Sequence, residues 1–543
     1  MADRQSSMTI GRRGALALIG SATALAVPAA GVAQAPAAAR FAHGVASGDP
    51  ARDGAVIWTR VTTAGEDMPL TWHVATAADG KPVQSGKVNA RAAADHTAKV
   101  EVARLSAGRD HWYWFTTPAG DRSPVGRFRT LPVGAVDSLV LGVASCQLYS
   151  GGLFNAFADM AALPRLDAVV HLGDYIYEYG PEGYGSDIGR KLGRLPDPPH
   201  EIVTLADYRR RHAQVKSDAD MQAAHARAAF ICVWDDHEVA NDGWIGGAEN
   251  HDPKTEGDWG KRKAAAMQAY FEWMPIRDPK RGRPWDAINR SFDFGGLATL
   301  AMVETRLLAR SQQVAPKGAT PGPELHQAML AERARPDREL LGADQQRWLE
   351  DVLARSVRDG KPWQVLGNQV VMARVAGPVP TAEMTAKLPA TWRKRLQEAQ
   401  AGYAAGLPFN LDSWDGYPPA RERLYASFSR AKSRPIVLSG DSHAAWANDL
   451  YDDGGKLVAA EFGATAVTSP SYGSLLPGLG KVIAEANREV VYCDQDSKGY
   501  TLLTLTPDAA TAEFVAVSTV MAKPFTRRIA ARYRVSATGL AAV

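Results

Sequence analysis

Five times along this chain a short, β-rich hydrophobic run stops abruptly at a residue suited to hold a metal or a phosphate. The stretch DAVVHLGDYIYEYG, beginning at Asp167, is the plainest case. Ala168 to Val170 and Leu172 are interrupted only by His171, and Gly173 ends the run. That is the pattern of a fully buried parallel strand and its terminating turn. Asp174 and Tyr177 follow at once. In open α/β sheets, ligands sit beyond the carboxyl ends of the strands, so both side chains stand where a site is expected. The same form recurs in SLVLGVASC ending at Cys146, AAFICVWDDHE ending at Asp235, Asp236 and His237, WQVLGNQ with Asn368, and RPIVLSGDSH with Asp441 and His443. Thiolate, carboxylate, amide oxygen and neutral imidazole are metal donors. Any one of these residues serves equally well as a cap or a buried polar group. Five strand ends behaving alike do not.

From Val136 onward, strands alternate with longer helical stretches, which implies βαβ units around a buried sheet. GGLFNAFADMAAL reads as the first crossover helix, and residues 343–357 as a later amphipathic one. Residues 41–132 carry short alternating runs instead: GAVIWTRV, LTWHVAT, TAKVEVARL, HWYWFTT and VGRFRTL. Their spacing predicts a small antiparallel β-sandwich, with GVASGDP as a turn-rich lead-in. TLADYRRRHAQVKSDADMQAAHARAA reads as one or two helices, with Arg209 to Arg211 and His212 on a solvated face. The glycine- and proline-rich excursion 180–199 reads as irregular loop. Residues 376–417 read as a helical insertion forming a lid or cap. LVAAEFG, YTLLTLTP and AEFVAVST read as strands completing the second half of the sheet. The expected division is a signal segment 1–35, a β-domain 41–132, a catalytic domain 136–520 and a C-terminal extension 521–543.

Arg12 and Arg13 precede an apolar, small-residue stretch closing on AQA at 33–35, the form of a cleaved signal peptide. The paired arginines suggest export through the twin-arginine machinery. No later stretch approaches the ~20 apolar residues that span a bilayer. The mature chain is therefore expected to be periplasmic or secreted, with no transmembrane segment. A net charge of +3 over 543 residues, with no Lys/Arg stripe among aromatics, gives no nucleic-acid signal. Three cysteines make no disulfide framework. Cys232, inside an apolar run, reads as a small core residue; a Cys232 to Cys493 bridge is left open.

Clustered donors at separate strand ends fit a site for two or more cations, able to bridge phosphoryl oxygens and lower the pKa of bound water. His237, among the carboxylates, is placed to stabilise transition-state charge or to protonate a leaving oxygen. No phosphate-binding GxxxxGK[ST] loop and no GxSxG elbow are present, which disfavours kinase and α/β-hydrolase chemistry.

ASCQ at 144–147, HLGDYIYEYG at 171–180, WDDHEVAND at 234–242 and LSGDSHAAW at 438–446, behind a β-rich N-terminal region and a twin-arginine-like signal, together resemble the PhoD-like alkaline phosphatases. These belong to the calcineurin-like metallophosphoesterases and are similar to the purple acid phosphatases. The resemblance implies an α/β fold, a four-layer αββα catalytic sandwich preceded by the small all-β sandwich. It implies a site with a ferric ion, Fe(3+), and calcium, Ca(2+), and hydrolysis of phosphomonoesters or phosphodiesters. Carried over residue by residue, Asp174 is the bridging ligand, with Cys146 and Tyr177 on the iron. Asp236, Asn368, Asp441 and His443 complete the metal set, and His237 is the catalytic histidine. Asp441 stands where the wider superfamily has histidine, and an oxygen-richer site favours calcium over zinc. Asp235, Asn241 and Arg306 are left as ligands, supporting groups or phosphate contacts. The partner is a small phosphate ester. One alternative is a phospholipase D-like diesterase, with 376–417 as a rim facing phospholipid. Another is a non-catalytic phosphate- or metal-binding protein on the same fold.

Overall fold

The computed structural model describes residues 40–543 apart from 281, 284, 316–321 and 387. The expected signal segment, with Arg12 and Arg13, lies outside the described residues.

The N-terminal region supplies β1 (Val45–Ala51), β2 (Gly54–Arg60), β3 (Met68–Ala75), β4 (Gln84–Ala90), β5 (Thr97–Val102), β6 (Asp110–Thr116) and β7 (Gly126–Arg129). β4-β3-β6-β7 form a four-stranded sheet, but β1, β2 and β5 leave it to join a much larger one. Val45, Ile57, Val74, Tyr113, Phe115 and Phe128 fill the core between the two sets. GVASGDP is therefore strand, not a turn-rich lead-in: β1 lies parallel to a central strand, with Gly48 opposite Phe230. A Cβ on Gly48 would meet the carbonyl oxygens of Pro275 and Phe230 at 2.2 and 2.5 Å, so close backbone packing replaces the hydrophobic side chains that normally announce a strand.

Three parallel strands follow: β8 (Leu139–Ala144), β9 (Ala168–His171) and β10 (Ala229–Cys232). Ala144 pairs with His171, and His171 with Cys232, so the three strands end level with one another. The crossover from β8 to β9 is the expected helix, Asn155–Ala162. Two helices, Leu205–Lys216 and Ala219–Arg227, lead into β10. A capping box starts the first: Asp207 N–H donates to Thr204 Oγ1, and Thr204 N–H to the Asp207 carboxylate.

A seven-stranded sheet contains β11 (Arg290–Phe294), β12 (Ala298–Met302), β13 (Trp363–Gly367), β14 (Ile436–Ser439), β15 (Ala445–Tyr451), β16 (Leu457–Gly463) and β17 (Val490–Asp494). β12, β13 and β14 are parallel and again end in register, Met302 with Gly367 and Gly367 with Leu438. β18 (Lys498–Thr506), β19 (Ala509–Val517), β20 (Arg527–Ser536) and β21 (Gly539–Ala542) return to the first sheet. Its order is β21-β20-β19-β18-β8-β9-β10-β1-β2-β5. So the runs YTLLTLTP and AEFVAVST extend the first sheet beside β8 rather than the second, and the last residues prolong that same sheet. One continuous core joins the inner faces of both sheets, through Val170, Leu172, Phe230, Leu300, Ile436 and Leu438. A second packs the seven-stranded sheet against the helices Ala343–Arg358 and Pro418–Arg430.

Three further expectations need correction. The excursion 180–199 contains the helix Ser186–Leu192, whose flanking Gly185 and Gly193 are left-handed caps. Arg211 and His212 are buried; Arg211 is held by the carbonyls of Tyr177, Tyr179, Pro198 and His200. The insertion 376–417 carries the helices Ala382–Ala386 and Ala390–Ala404, yet its end, through Trp414 and Asp415, is built into the core.

Candidate metal centre

Both sets of level strand ends open onto one volume. Just past them, Cys146, Asp174, Asp441 and His443 all have φ near +60°. A non-glycine residue there carries strain of about 1–3 kcal/mol, and such strain gathers at functional sites. Gly173, at φ 103°, lets the end of β9 press against β10: a Cβ on it would meet Asp235 N at 2.3 Å.

Three donor groups result, each with ligating atoms within 4.8 Å of one another: Cys146, Asp174 and His443; Asp174, Asp236 and His237; Asp235, Asp236 and Asp441. Asp174 links the first two and Asp236 the last two. The Tyr177 hydroxyl donates to Asp174 Oδ2 at 2.8 Å and lies 3.4 Å from His443 Nε2. His443 Nδ1 donates to the Pro470 carbonyl at 2.7 Å, which leaves Nε2 a bare acceptor 4.0 Å from Asp174 Oδ2. Burial, then Lys498, holds His443 down at about 3, so it is neutral at ordinary pH. Asn368 stands apart: its amide oxygen accepts from Trp414 Nε1 at 3.0 Å and its amide nitrogen donates to the Val370 carbonyl.

The donor set fits cations. Asp174 Oδ1 and Asp235 Oδ2 are buried with no hydrogen-bond partner, an arrangement that penalises folding unless something neutralises it. Burial pushes the Asp174 and Asp235 carboxyls well up, and lifts Asp441 to about 7 and Asp242 to about 8. Burial, then the Asp174 charge, also raises the Cys146 thiol. A bound cation reverses each of these shifts.

Arg306 is the built-in counterion. Its guanidinium contacts Asp235, Asp412 at 2.7 Å, Asp441 at 2.9 Å and Asp236 at 3.7 Å. Each guanidinium nitrogen is thus engaged: Nε donates to Asp235, Nη1 to both carboxylate oxygens of Asp412 and Nη2 to Asp441. Asn241 donates its backbone N–H to Glu178 at 2.8 Å and its amide to Glu249 at 3.3 Å.

His237 Nδ1 lies 2.7 Å from Glu178 Oε2, which leaves Nε2 as its free end. Burial alone would lower its pKa, but Glu178, Asp236 and Asp174 together raise it well above the usual value. Glu178 is held down to about 2: against the opposing effect of burial, His237 and the Asn250 and Asn241 donors win. The His237 ring packs 4.2 Å from that of Tyr177.

Several supporting residues went unread in the sequence. Glu178 orients His237, and Glu238 accepts backbone N–H groups from Asp174, Tyr175 and Asp235. Glu178 lies in HLGDYIYEYG and Glu238 in WDDHEVAND, where a carboxylate beside candidate metal donors is the available signal. Ser469 Oγ donates to the Cys146 carbonyl, and Asp412 clamps Arg306 and Arg310; neither has a local signature. His171 is a satisfied core histidine, 2.9 Å from Gln147 Oε1. All three cysteines are free, and Cys232 and Cys493 lie on β10 and β17 of different sheets.

The fold is like that of a purple acid phosphatase from yellow lupin (Lupinus luteus) seeds, with a TM-score of 0.50 at 14% identity over 87% of this chain and 71% of that one. The chain is thus of the metallophosphoesterase-like fold class. The PhoD-like phosphatase family model matches residues 141–514, and that of the PhoD-like phosphatase N-terminal domain matches 25–132. Alkaline phosphatase D of Bacillus subtilis (strain 168) is 35% identical over 492 residues, 87% of this chain and 77% of that one. A solved structure of PhoD aligns with a TM-score of 0.78 and 32% identity over 93% of this chain and 92% of that one. The chain belongs to the PhoD-like phosphatase family and is a phosphoric ester hydrolase.

Proposed function

We propose that this protein is an exported, metal-dependent hydrolase of phosphomonoesters and phosphodiesters, with Fe(3+) and Ca(2+) as its cations. The observation that carries the reading is the chain of three donor groups sharing Asp174 and Asp236, with two orphaned carboxylate oxygens inside it. Cys146, Asp174, Tyr177 and His443 would hold the iron; Asp174, Asp236 and Asp441 would hold calcium. Asn368 would join the set only by releasing Trp414. When bound, such cations neutralise phosphoryl charge and acidify coordinated water. The chain's own residues do the rest. Arg306 keeps Asp235, Asp236 and Asp441 together without itself reaching substrate. Glu178 accepts from His237 Nδ1–H and, with Asp236 and Asp174, holds the ring protonated, so that Nε2 also carries a proton to offer to the leaving oxygen.

The packing of two sheets between helices supports a four-layer αββα catalytic unit over 136–520, with 41–132 as a β-domain and 521–543 as its extension. Arg12 and Arg13 before an apolar stretch support twin-arginine export to the periplasm or beyond. The test is elemental analysis of protein purified without chelators, beside turnover of an aryl phosphomonoester and a bis-aryl phosphodiester with and without calcium. Iron near one per chain with calcium-dependent turnover is expected. Neither ester cleaved by metal-loaded protein, or full turnover of His237→Ala, overturns the reading.

A further inference from the structure

The mouth of the site is lined with aromatic rings from three separate segments. Tyr184, from the 180–199 excursion, stacks on His443 with centroids 5.8 Å apart and planes at 19°. Its hydroxyl lies 3.0 Å from His443 Nδ1 and donates to the Pro470 carbonyl. Tyr179 lies between them and the catalytic histidine, 6.2 Å from Tyr184 and 5.3 Å from His237. Tyr472 follows Pro470 by two residues and is 49% exposed. It meets Phe409, from the 376–417 insertion, at 5.7 Å and 62°, and Phe409 in turn meets Tyr403 at 6.5 Å.

Resting on the phosphoesterase reading above, we propose that this aromatic arc selects esters whose organic group is a planar aromatic ring, an aryl group or a nucleobase, over those with an alkyl or polyol chain. A phosphoryl group at the donor cluster directs its substituent outward past Tyr184 and Tyr472. Ring faces there offer offset-stacked and edge contacts, which a flat π-system makes and a flexible chain does not. A polyol needs hydrogen-bond partners, and the Tyr184 hydroxyl is already engaged with His443 and Pro470. Phe409 offers none. Three segments converging on one edge of the site thus present apolar faces where solvent-exposed loops ordinarily present polar groups.

The experiment is calorimetric binding of non-hydrolysable phosphonates of equal charge to the metal-loaded protein: phenylphosphonate, propylphosphonate and an adenine-bearing alkylphosphonate. Leaving-group reactivity then plays no part. Phenylphosphonate is expected to bind roughly tenfold tighter than propylphosphonate, the preference a pair of aromatic contacts gives. Tyr472→Phe keeps the ratio; Tyr472→Leu combined with Phe409→Leu, which conserves apolar bulk, brings it near one. Tighter binding of the adenine compound than of phenylphosphonate assigns the arc to nucleobases, the reverse to aryl groups. Equal binding of all three, or a ratio unmoved in the double leucine variant, overturns the proposal while leaving the phosphoesterase reading intact. Failure of every phosphonate to bind, together with failure to cleave either ester, brings down both.

Discussion

Glu178→Gln is the substitution that tests the site most sharply, because it keeps shape and removes one charge. Glu178 Oε2 accepts from His237 Nδ1 at 2.7 Å, while Oε1 accepts from Asn241 N at 2.8 Å and Asn250 Nδ2 at 2.9 Å. Glutamine has a single acceptor oxygen. Turned toward the two asparagine donors it satisfies both and presents its NH2 to Nδ1; turned toward His237 it sets that NH2 against two N–H groups. The first arrangement wins, two contacts to one. His237 then accepts at Nδ1, carries its proton at Nε2 and has lost its counterion. A buried charge-assisted hydrogen bond is worth about 1.5–3 kcal/mol, so kcat should fall about 10- to 150-fold. Glu178 raises the His237 pKa, and a raised histidine stays protonated to higher pH. Removing the carboxylate therefore moves the alkaline limb of the kcat profile to lower pH, by one unit or more for about 1.4 kcal/mol lost. The assay is aryl phosphate turnover from pH 6 to 11, with metal content measured on the same samples. A kcat within about twofold of the parent and an unmoved alkaline limb, at equal metal content, refute this account of His237.

Three further outcomes follow from the same charges. Stripping cations with a chelator should lower stability more at pH 9 than at pH 6: Asp441 at about 7 and Asp242 at about 8 sit above their unfolded values, so their protonated forms favour the fold and that favour is lost as pH rises. Thermal melts of stripped and reloaded protein at both pH values check it, and an equal loss at each contradicts it. Arg306→Met leaves Asp235 and Asp441 without their cation, Asp412 keeping Arg310, and should lower unfolding free energy by about 3–5 kcal/mol, read by chemical denaturation. Lys216 is fully buried against Tyr175 and His225, and burial brings it down to about 7. A depressed lysine gains stability as pH rises toward its unfolded value, so Lys216→Met should be more stable than the parent at pH 6, with the advantage shrinking by pH 10.

What the sequence disclosed and what it hid divide along one physical line. The candidate donors Cys146, Asp174, Asp236, Asp441 and His443 were legible as such because each ends a hydrophobic run, and strand and turn are encoded within about ten residues. The registers that bring β8, β9 and β10 level in one sheet and β12, β13 and β14 level in the other, and so bring those residues together, belong to the fold. Strand β1 was not, since Gly48 and its neighbours pack by backbone approach and leave no apolar pattern. The helix Ser186–Leu192 was hidden by the two glycines that cap it, which read as loop. Arg211 and His212 were misplaced because their burial depends on carbonyls and rings supplied by other segments. The same holds for the holders of the site. Asp412 reaches Arg306 from a distant insertion, and Asn368 turns to Trp414 of that insertion rather than to the cluster. Metal donors announce themselves locally because their chemistry is in the side chain. The groups that orient them do not, because any carboxylate or amide serves and only the folded chain decides which one arrives. Glu178 is the instructive intermediate: it lies within the DYIYEYG stretch beside Tyr177, yet its role exists only through His237, on another strand end.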